Sequence, residues 1–401
     1  MSLIEFIDLG KQPLANGFMS HESLHTDWWW NRHEPFYSLR AGFDASTCLV
    51  SLMEFVDSHL LFNDNYAYCS SGSQTMRDHF LDMSRFIKER FEHRRVLEIG
   101  SNDGVFLQHF PGNSTVAVEP CGNFADITRK LGYTTHADFW TMDLARQIRE
   151  DGGPVDLVYA ANCMCHIPNI NAAFAAVEYV LADDGVFIFE DPSLYSILRE
   201  NSYDQIYDEH AHLFSAMAMH RMLGAYDLVI WRIDCLPVHG GSYRFYVKKA
   251  CAGAVSVEDS VRRVISAEYE FGLGHEDTFF RFAERVELGK YVLIELLHQL
   301  KNEGNKIIGY GATSKSTVVY NYCGIGPDLI EYVVDTTETK QGMFTPGTHI
   351  PIVSPEVGMD DSVDYAFLGA WNFKDEIVKK ETAFRKRGGK FITHVPMVRV
   401  I

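Results

Sequence analysis

Short apolar runs alternate with helical patterns along two stretches of this sequence, and this alternation limits the possible folds more than any other feature. Strands and helices that alternate at this spacing form parallel sheets covered by helices on both faces. The predicted strands are 96-VLEIG-100, 115-TVAVE-119, 155-VDLVYAAN-162 and 185-GVFIFED-191 in the first stretch, and 306-KIIGYGA-312, 331-EYVVDTT-337, 364-DYAFLGA-370 and 390-KFITHVP-396 in the second. The chain is therefore predicted to be an α/β protein with two doubly wound sheets.

The remaining segments complete a three-part organisation. Residues 227–237 and 242–250 are predicted to form an antiparallel hairpin that finishes the first sheet, because only 238-VHGG-241 separates them. Helical periodicity marks 74–92 and most of 257–304, whereas the first residues are rich in aromatics and lack clear periodicity. We divide the chain into an N-terminal arm (1–72), a first α/β domain (73–252), and a helical connector with a second α/β domain (253–401).

Bulk composition argues against several classes of function. The 401 residues carry 36 Lys+Arg against 54 Asp+Glu, a formal net charge of -18. We expect no nucleic-acid or membrane partner, because phosphate contacts need clustered cations. No apolar run reaches the roughly 18 residues of a membrane span, and no secretory signal pattern opens the chain. With eight scattered cysteines, we expect reduced thiols and a cytoplasmic protein.

The turn after the first predicted strand has the features of a nucleotide-binding turn. In 96-VLEIGSNDGVFLQHF-110, Gly100 permits a tight turn and Gly104 permits close approach to a ligand, and a helix is expected to follow. Glu119, at the end of the next strand, can accept hydrogen bonds from both ribose hydroxyls of an adenosine. Glu98, just before the turn, suits a cationic ligand better than a pyrophosphate. S-adenosylmethionine is the predicted cofactor, and for the glycines alone an ordinary βα turn stays open.

A second glycine-rich turn lies in 306-KIIGYGATSKS-316. Lys315 is expected at a helix start, where its ammonium and the backbone N–H groups can contact a phosphate. The hairpin turn 239-HGGSYR-244 offers glycine N–H groups, Ser242 and Arg244 for another such contact. A lone G-x-G is weak evidence, so an ordinary turn stays open here too. A methyl-donor domain beside a nucleotide-like domain favours an acceptor that itself carries a nucleotide.

Titratable side chains concentrate in 203-YDQIYDEHAHLFSA-216. Two histidines and two carboxylates this close together can form a metal site, a proton-transfer site or a solvated loop. The choice depends on the reaction.

The motifs together resemble the sugar C-methyltransferases of deoxysugar biosynthesis, which methylate C3 of a nucleotide-activated 4-keto-6-deoxy sugar. The resemblance spans nearly the whole chain in the family's order. It is carried by 8-DLGKQPLANGF-18, 66-YAYCSSGSQTMRDHF-80, 98-EIGSNDGVFL-107, 118-VEP-120, 203-YDQIYDEHAHLFS-215, 237-PVHGGSYRFYV-247, 309-GYGATSKSTVVYNYCGI-325 and 344-FTPGTHIPI-352. It implies a class I, Rossmann-like methyltransferase domain followed by a second Rossmann-like domain on the nucleotide-sugar side.

The chemistry of such an enzyme assigns roles to the titratable cluster. A carbon acceptor becomes nucleophilic as an enolate, which requires a base at the C3 proton and donors to the developing oxyanion. His210 is the predicted base, because imidazole titrates near the working pH. The resemblance maps the family's Y-x-E-H set onto Tyr207, Glu209 and His210, and its C-H-I-P histidine onto His166. His212 is predicted to be structural, and no metal is expected because the reaction needs no Lewis acid.

These arguments define two predicted binding sites. The cofactor site comprises Glu98, Gly100, Ser101, Asn102, Gly104, Phe106, Glu119, Pro120, Asp138, Phe139 and Asn162. The site for the nucleotide-diphosphate 4-keto-6-deoxy sugar comprises Tyr66, Tyr68, Ser70, Ser71, His239, Gly240, Ser242, Arg244 and Lys315, and the choice between Tyr66 and Tyr68 as the sugar contact stays open. The rivals are an O- or N-methyltransferase and a nicotinamide-dependent oxidoreductase or epimerase, with Asp335 as ribose partner.

The arm departs from the family pattern. The resemblance implies a zinc domain built from two C-x-x-C pairs, but the first pair is absent and Asp44 and Thr47 stand where cysteines of the second are expected. One cysteine, Cys48, cannot make a four-ligand zinc site. We predict no zinc, and an arm held by burial of aromatics such as Trp28–Trp30 and Phe36.

Overall fold

Strands and helices alternate along the chain as predicted. The structure is a computed structural model that describes residues 3–25, 34–91, 94–253 and 255–401. The strands are β1 (Ile4–Pro13), β2 (Phe36–Phe43), β3 (Val50–Leu52), β4 (Val96–Ile99), β5 (Thr115–Val118), β6 (Thr134–His136), β7 (Val155–Ala161), β8 (Leu181–Pro192), β9 (His212–Leu213), β10 (Leu228–Leu236), β11 (Ser242–Lys249), β12 (Ile307–Tyr310), β13 (Val333–Val334), β14 (Ile352–Val353), β15 (Tyr365–Leu368), β16 (Lys390–Thr393) and β17 (Arg399–Val400). The helices are α1 (His21–His25), α2 (Ser58–Leu61), α3 (Gln74–Arg90), α4 (Gly122–Lys130), α5 (Met142–Gly152), α6 (Ile170–Val180), α7 (Leu194–Arg199), α8 (Ala216–Gly224), α9 (Asp259–Phe271), α10 (Glu276–Asn302), α11 (Ser314–Cys323), α12 (Pro355–Gly358), α13 (Lys374–Lys380) and α14 (Thr382–Lys386).

The central sheet has the strand order β10-β11-β8-β7-β4-β5-β6, with β11 antiparallel between β10 and β8. This is the class I methyltransferase arrangement, and it confirms the predicted hairpin. Its strands are buried on both faces: Leu97 packs in one hydrophobic cluster with α5 and α6, and Val96 packs in another with α3. The strand order reverses beside β4, so the first glycine turn lies at the position where such sheets bind ligands.

The segment after this turn differs from the predicted helix. Gly100, Asn102 and Gly104 all take positive φ, and only a 3-10 turn, Leu107–His109, follows. Pro111 prevents a longer helix, because a proline disfavours helical conformation in the residue before it.

The second sheet has the order β14-β13-β12-β15-β16-β17, and its strands are parallel except for the last. Its second glycine turn leads from β12 into α11, as predicted. Among the helices of the described residues, none combines the length and the apolar character that crossing a bilayer requires.

The arm forms a four-stranded antiparallel sheet, β1-β2-β3-β9, whose last strand comes from the middle of the chain. Sequence periodicity missed β1, because two register shifts, Glu5/Ile7 and Asp8/Lys11, break its alternation of buried and exposed residues.

The aromatic core of the arm is also different from the prediction. Phe36 is 43% exposed, so its predicted burial is wrong, and Trp28–Trp30 lie outside the described residues. The buried rings are Phe6 and Phe43, whose centroids lie 5.1 and 4.4 Å from that of Phe279 on α10. The arm therefore packs on the connector helix and has no separate core.

Candidate active site

A cavity of about 690 Å³ opens at the carboxyl edge of the central sheet. Its walls come from the β4, β5 and β7 ends, from residues 57–70 and from the start of α11. A cavity of this size is large enough for a cofactor together with part of a second ligand. The lining includes Gly100, Asn102, Glu119, Pro120, Asp138, Phe139 and Asn162 from the predicted cofactor site, and Tyr66, Tyr68, Ser70, His239 and Lys315 from the predicted substrate site.

The cofactor side is shaped by the backbone of the first glycine turn. At Gly100, with φ at +72°, a Cβ atom would lie 2.6 Å from the Cys163 Sγ, so only glycine fits without rearrangement. Glu119 accepts hydrogen bonds from the backbone N–H of Asn102 at 2.7 Å and of Cys121 at 2.9 Å. These bonds hold the carboxylate at the cavity wall, where each oxygen keeps a second lone pair for a ligand.

Four residues of the predicted cofactor site do not line the cavity: Glu98, Ser101, Gly104 and Phe106. Phe106 is fully buried and stacks on Tyr159 with centroids 4.0 Å apart, so it is a core residue. Glu98 lies behind the turn, with one carboxyl oxygen buried and unpartnered. Burial, followed by the neighbouring Asp103 and Glu119 carboxyls, raises the pKa of Glu98 well above its ordinary value.

His210 is the best oriented base in the cavity. Its side chain is buried, and its Nδ1 lies 2.7 Å from the backbone carbonyl oxygen of Gln205. A carbonyl can only accept, so Nδ1 carries the proton and Nε2 keeps a free lone pair. Burial, followed by the field of His166, lowers the pKa of His210 well below its ordinary value, so the imidazole is neutral at physiological pH.

His166 and Tyr207 flank this imidazole. The His166 ring stacks on His210 at 5.3 Å, and the Tyr207 ring centroid lies 4.1 Å from it. Burial lowers the pKa of His166 to about 4, and its Nε2 is buried without a partner. Burial also raises the pKa of Tyr207 well above its ordinary value, which keeps the phenol as a hydrogen-bond donor. Both groups can therefore donate to a substrate oxygen in their neutral forms.

Glu209 is held by donors from two distant segments. Asn16 Nδ2 donates to its Oε1 at 2.6 Å, and the Tyr66 hydroxyl donates to its Oε2 at 2.9 Å. Burial raises the pKa of Glu209, while these donors oppose that rise. Tyr66 therefore contacts the Glu209 carboxyl beside His210, whereas the Tyr68 carbonyl accepts a hydrogen bond from Asn102 Nδ2 at 3.0 Å on the side of the glycine turn.

The neighbours of Glu209 and His210 point away from the cavity. Asp208 accepts from the backbone N–H of Ala15 at 3.1 Å. His212 contacts the Ser51 hydroxyl through Nδ1 at 2.8 Å and the Pro168 carbonyl through Nε2 at 3.1 Å. With both nitrogens engaged in the arm sheet and the loop beside it, His212 has the structural environment that was predicted.

Two ammonium groups face the same cavity, one from the buried Lys340 and one from the half-buried Lys315. Lys315 lies at the second position of α11, and Lys340 donates to the Ala312 carbonyl at 2.8 Å while its Nζ lies 4.5 Å from the centre of the Phe18 ring. Burial lowers the pKa of both lysines, and the Glu209 carboxyl partly restores it. Sequence reasoning found Lys315 through the glycine turn, but it missed Lys340, which lies in no recognisable motif.

The hairpin residues that were predicted to contact a phosphate do not all face one cavity. His239 lines both the main cavity and a neighbouring one of about 1410 Å³, whose walls include Gly240 and Ser242. Arg244 lines neither, because its Nε is 2.7 Å from Glu190 Oε1, in a buried network with His79 and Tyr159. Ser71 also lies outside, with its N–H bonded to Asp103. The predicted substrate roles of Arg244 and Ser71 are therefore not supported by their positions.

Asn16 is the second residue that sequence reasoning missed. It belongs to 8-DLGKQPLANGF-18, which carried the family resemblance but received no functional role. Its presence in that stretch was the only available signal, because the carboxylate that Asn16 contacts, Glu209, lies 193 residues away in the sequence.

Comparisons with known proteins identify two matching families. A methyltransferase domain family matches residues 73–233, and a C-methyltransferase C-terminal domain family matches residues 237–396. The chain is 30% identical over 403 residues to C-methyltransferase NovU of Streptomyces niveus, with 99% of this chain and 94% of NovU covered.

Solved structures were compared as well. A SAM-dependent methyltransferase from Anabaena variabilis ATCC 29413 is 17% identical, with a TM-score of 0.36 and coverage of 44% of this chain and 86% of that chain. An S-adenosylmethionine-dependent methyltransferase from Clostridium acetobutylicum ATCC 824 is 15% identical, with a TM-score of 0.35 and coverage of 45% of this chain and 93% of that chain.

Proposed function

Since this chain belongs to the S-adenosylmethionine-dependent C-methyltransferases, we propose that it methylates C3 of a nucleotide-diphosphate 4-keto-6-deoxy sugar. The observation that carries the proposal is the oriented imidazole of His210, which shares one cavity with Glu119 and Asn102. A base at this place is needed for transfer to carbon, because a C–H bond next to a carbonyl must first lose its proton.

The residues of the cofactor side fit S-adenosylmethionine. Glu98, Asp103 and Glu119 lie around the turn; burial is the main cause of the raised pKa of Glu98 and Glu119, and repulsion from neighbouring carboxyls adds to it. A cationic ligand would relieve this repulsion, whereas a pyrophosphate would increase it. Gly100, Asn102, Glu119, Asp138, Phe139 and Asn162 would hold the cofactor. When bound, S-adenosylmethionine supplies an electrophilic methyl group on a sulfonium.

His210 Nε2 removes the C3 proton of the sugar in this proposal. The Gln205 carbonyl fixes the tautomer, and burial keeps the ring neutral, so the free lone pair is available at physiological pH. The C4 carbonyl oxygen then gains negative charge, and donors aimed at it lower the barrier. Tyr207 and the unpartnered His166 supply neutral donors, and Glu209 orients the site through Tyr66.

Lys315 and Lys340 supply positive charge beside this oxyanion and toward the diphosphate. Lys340 is buried and Lys315 is half-buried, so their fields are screened less than those of surface lysines. The second cavity shares His239, Asn372 and Phe373 with the first. A ligand as long as a nucleotide-diphosphate sugar can therefore extend from the catalytic cluster between the two sheets.

The alternative of a nicotinamide-dependent oxidoreductase or epimerase has less support than methyl transfer. Asp335 accepts from the backbone N–H of Ala312 at 2.7 Å and of Thr337 at 2.7 Å, and it lines neither cavity. Glu119 also accepts two backbone bonds, but it faces the main cavity.

The test uses S-adenosylmethionine with a carbon-13 methyl group and a panel of nucleotide-diphosphate 4-keto-6-deoxy sugars. The expected product has a methyl carbon bonded to carbon, and an O-methyl shift in the carbon-13 spectrum would refute transfer to C3. His210→Asn should lower turnover by about 10²- to 10⁴-fold, the usual contribution of general base catalysis, with cofactor binding intact. His220→Asn, at an exposed histidine, is the matched control and should keep turnover.

A further inference from the structure

Soft metal ligands meet inside the catalytic cluster. The Cys165 thiol and the imidazoles of His166 and His210 offer ligand atoms that all lie within 4.8 Å of one another. Among the described residues, no other three His, Cys, Asp or Glu side chains form such a group. The proposed mechanism uses the two imidazoles but gives the thiol no role. We propose that this group binds Zn²⁺ or a similar thiophilic divalent cation, and that the bound ion inhibits methyl transfer by occupying the base.

The ligand atoms are identified by their other contacts. His210 Nδ1 is engaged by the Gln205 carbonyl, which leaves Nε2 for a ligand. His166 Nε2 is buried and has no hydrogen-bond partner. The backbone N–H of Cys165 lies 3.3 Å from Asp191 Oδ1, a contact that holds the thiol-bearing residue beside the two rings.

The donor set selects the class of metal. Two imidazole nitrogens and one thiolate suit Zn²⁺ and its analogues Co²⁺ and Cd²⁺, whereas Mg²⁺ and Ca²⁺ prefer oxygen ligands. Three protein ligands leave the fourth tetrahedral position for water, as in open zinc sites. The thiol must ionise on binding, so each bound ion releases one proton to the solvent.

The geometry also sets the strength of binding. Tetrahedral zinc places its nitrogen and sulfur ligands about 3.3 to 3.7 Å apart, so the side chains must close inward from their present positions. The His166 and His210 rings are stacked with an angle of 24° between their planes, and their lone pairs do not converge. One imidazole must therefore turn before both bind the ion. We expect a reversible inhibitory site, weaker than a closed structural zinc site.

A bound metal ion would inhibit methyl transfer because it would occupy the lone pair on His210 Nε2. Coordination through His210 Nε2 removes the electron pair that the proposed base needs, so this part of the inference rests on the proposed function. The glycine turn and Glu119 lie outside the metal ligand set, so S-adenosylmethionine binding should persist in the presence of the ion.

The test titrates the full-length protein with Co²⁺ alone, because cobalt bound to a thiolate gives a charge-transfer band in the near ultraviolet. The band is expected for the unsubstituted protein, should disappear in Cys165→Ser, and should persist in the control Cys235→Ser, whose thiol is exposed. A band that persists in Cys165→Ser, or no band in the unsubstituted protein, would overturn the site. If Cys165→Ser does not fold, His166→Gln keeps the thiolate but should raise the Co²⁺ concentration at half-maximal band intensity by about tenfold or more, and an unchanged concentration would overturn the site.

A parallel assay measures methyl transfer with added Zn²⁺. Losing even an outer-shell partner of a metal ligand costs 10- to 100-fold in affinity, so loss of Cys165 should raise the inhibitory Zn²⁺ concentration by about tenfold or more. Equal inhibition of both proteins would refute the role of the thiol. The cobalt titration needs no substrate, so a cobalt band without sugar C-methylation would reject the proposed function and leave the metal site standing.

Discussion

Arg244 gives the sharpest test of the structure against the sequence. The hairpin motif places it among phosphate contacts, whereas the structure buries it against Glu190, with Nε and Oε1 2.7 Å apart and exposed side-chain fractions of 11% and 1%. His79 Nε2 and the Tyr159 hydroxyl contact the same carboxylate at 2.6 and 2.7 Å. Arg244→Met keeps most of the aliphatic stem and removes the charge.

The expected loss is large because the remaining charge stays buried. Removing one partner of a buried ion pair typically costs about 3 to 5 kcal/mol of unfolding free energy. The pKa of Glu190 gives the same order of magnitude. Burial alone would raise it, but Arg244 and His79 outweigh burial and lower it from 4.5 to about 2. That difference corresponds to roughly 3 kcal/mol at 1.36 kcal/mol per pH unit.

Urea unfolding followed by fluorescence measures the effect. Arg244→Met should lower the unfolding free energy by about 3 to 5 kcal/mol. The double substitution with Glu190→Gln should cost less than the sum of the single ones, because the two residues share one interaction. An Arg244→Met protein with an unchanged unfolding midpoint and a raised KM for the nucleotide sugar would refute the structural role and restore the phosphate contact.

Three further predictions follow from single contacts. The pKa of Glu190 is depressed in the folded state, so its ionised carboxylate stabilises the folded protein fully above pH ~4.5, and this stabilisation is lost as the pH falls towards ~2. Glu190→Gln should therefore reduce the loss of unfolding free energy in acid, as measured by urea unfolding. Asn16→Ala removes a donor to the Glu209 carboxyl and should lower kcat by about 10- to 150-fold, which corresponds to the roughly 1.5 to 3 kcal/mol of such bonds, whereas the exposed Asn302→Ala should not. Gly100→Ala should weaken S-adenosylmethionine binding in calorimetry, because its Cβ would lie 2.6 Å from Cys163 Sγ. The control is Gly153→Ala, where φ is +83° but no atom lies within 4 Å of the added Cβ. Equal dissociation constants for S-adenosylmethionine in the two variants would contradict this explanation.

Local patterns in the sequence were enough to predict both α/β sheets. Strands such as 96–99 and 155–161 are short, apolar and bounded by turns, and buried strands of parallel sheets have this pattern. The positions of Gly100 and Glu119 follow from the same pattern, because each lies at a fixed distance from its strand. The arm strand β1 has two register shifts, so its alternation is broken and periodicity gives no signal.

Partners distant in sequence were the part that could not be predicted. Lys315 and Arg244 both follow a glycine-rich turn, yet Lys315 faces the cavity and Arg244 is paired with Glu190, 54 residues away. No local rule separates these two cations, because the difference lies in which carboxylate the fold brings near. Lys340 and Asn16 were missed for the same reason.

The adjacent carboxyls Asp208 and Glu209 connect the arm to the proposed catalytic site. Asp208 accepts from the Ala15 backbone and Glu209 accepts from the Asn16 side chain, so two successive arm residues hold two successive residues of the cluster. Three positions further on, β9 pairs with β3 of the arm sheet. His210 lies between these two attachments and is itself held by the Gln205 carbonyl. The orientation of the proposed base therefore depends on the packing of the arm as well as on the methyltransferase sheet.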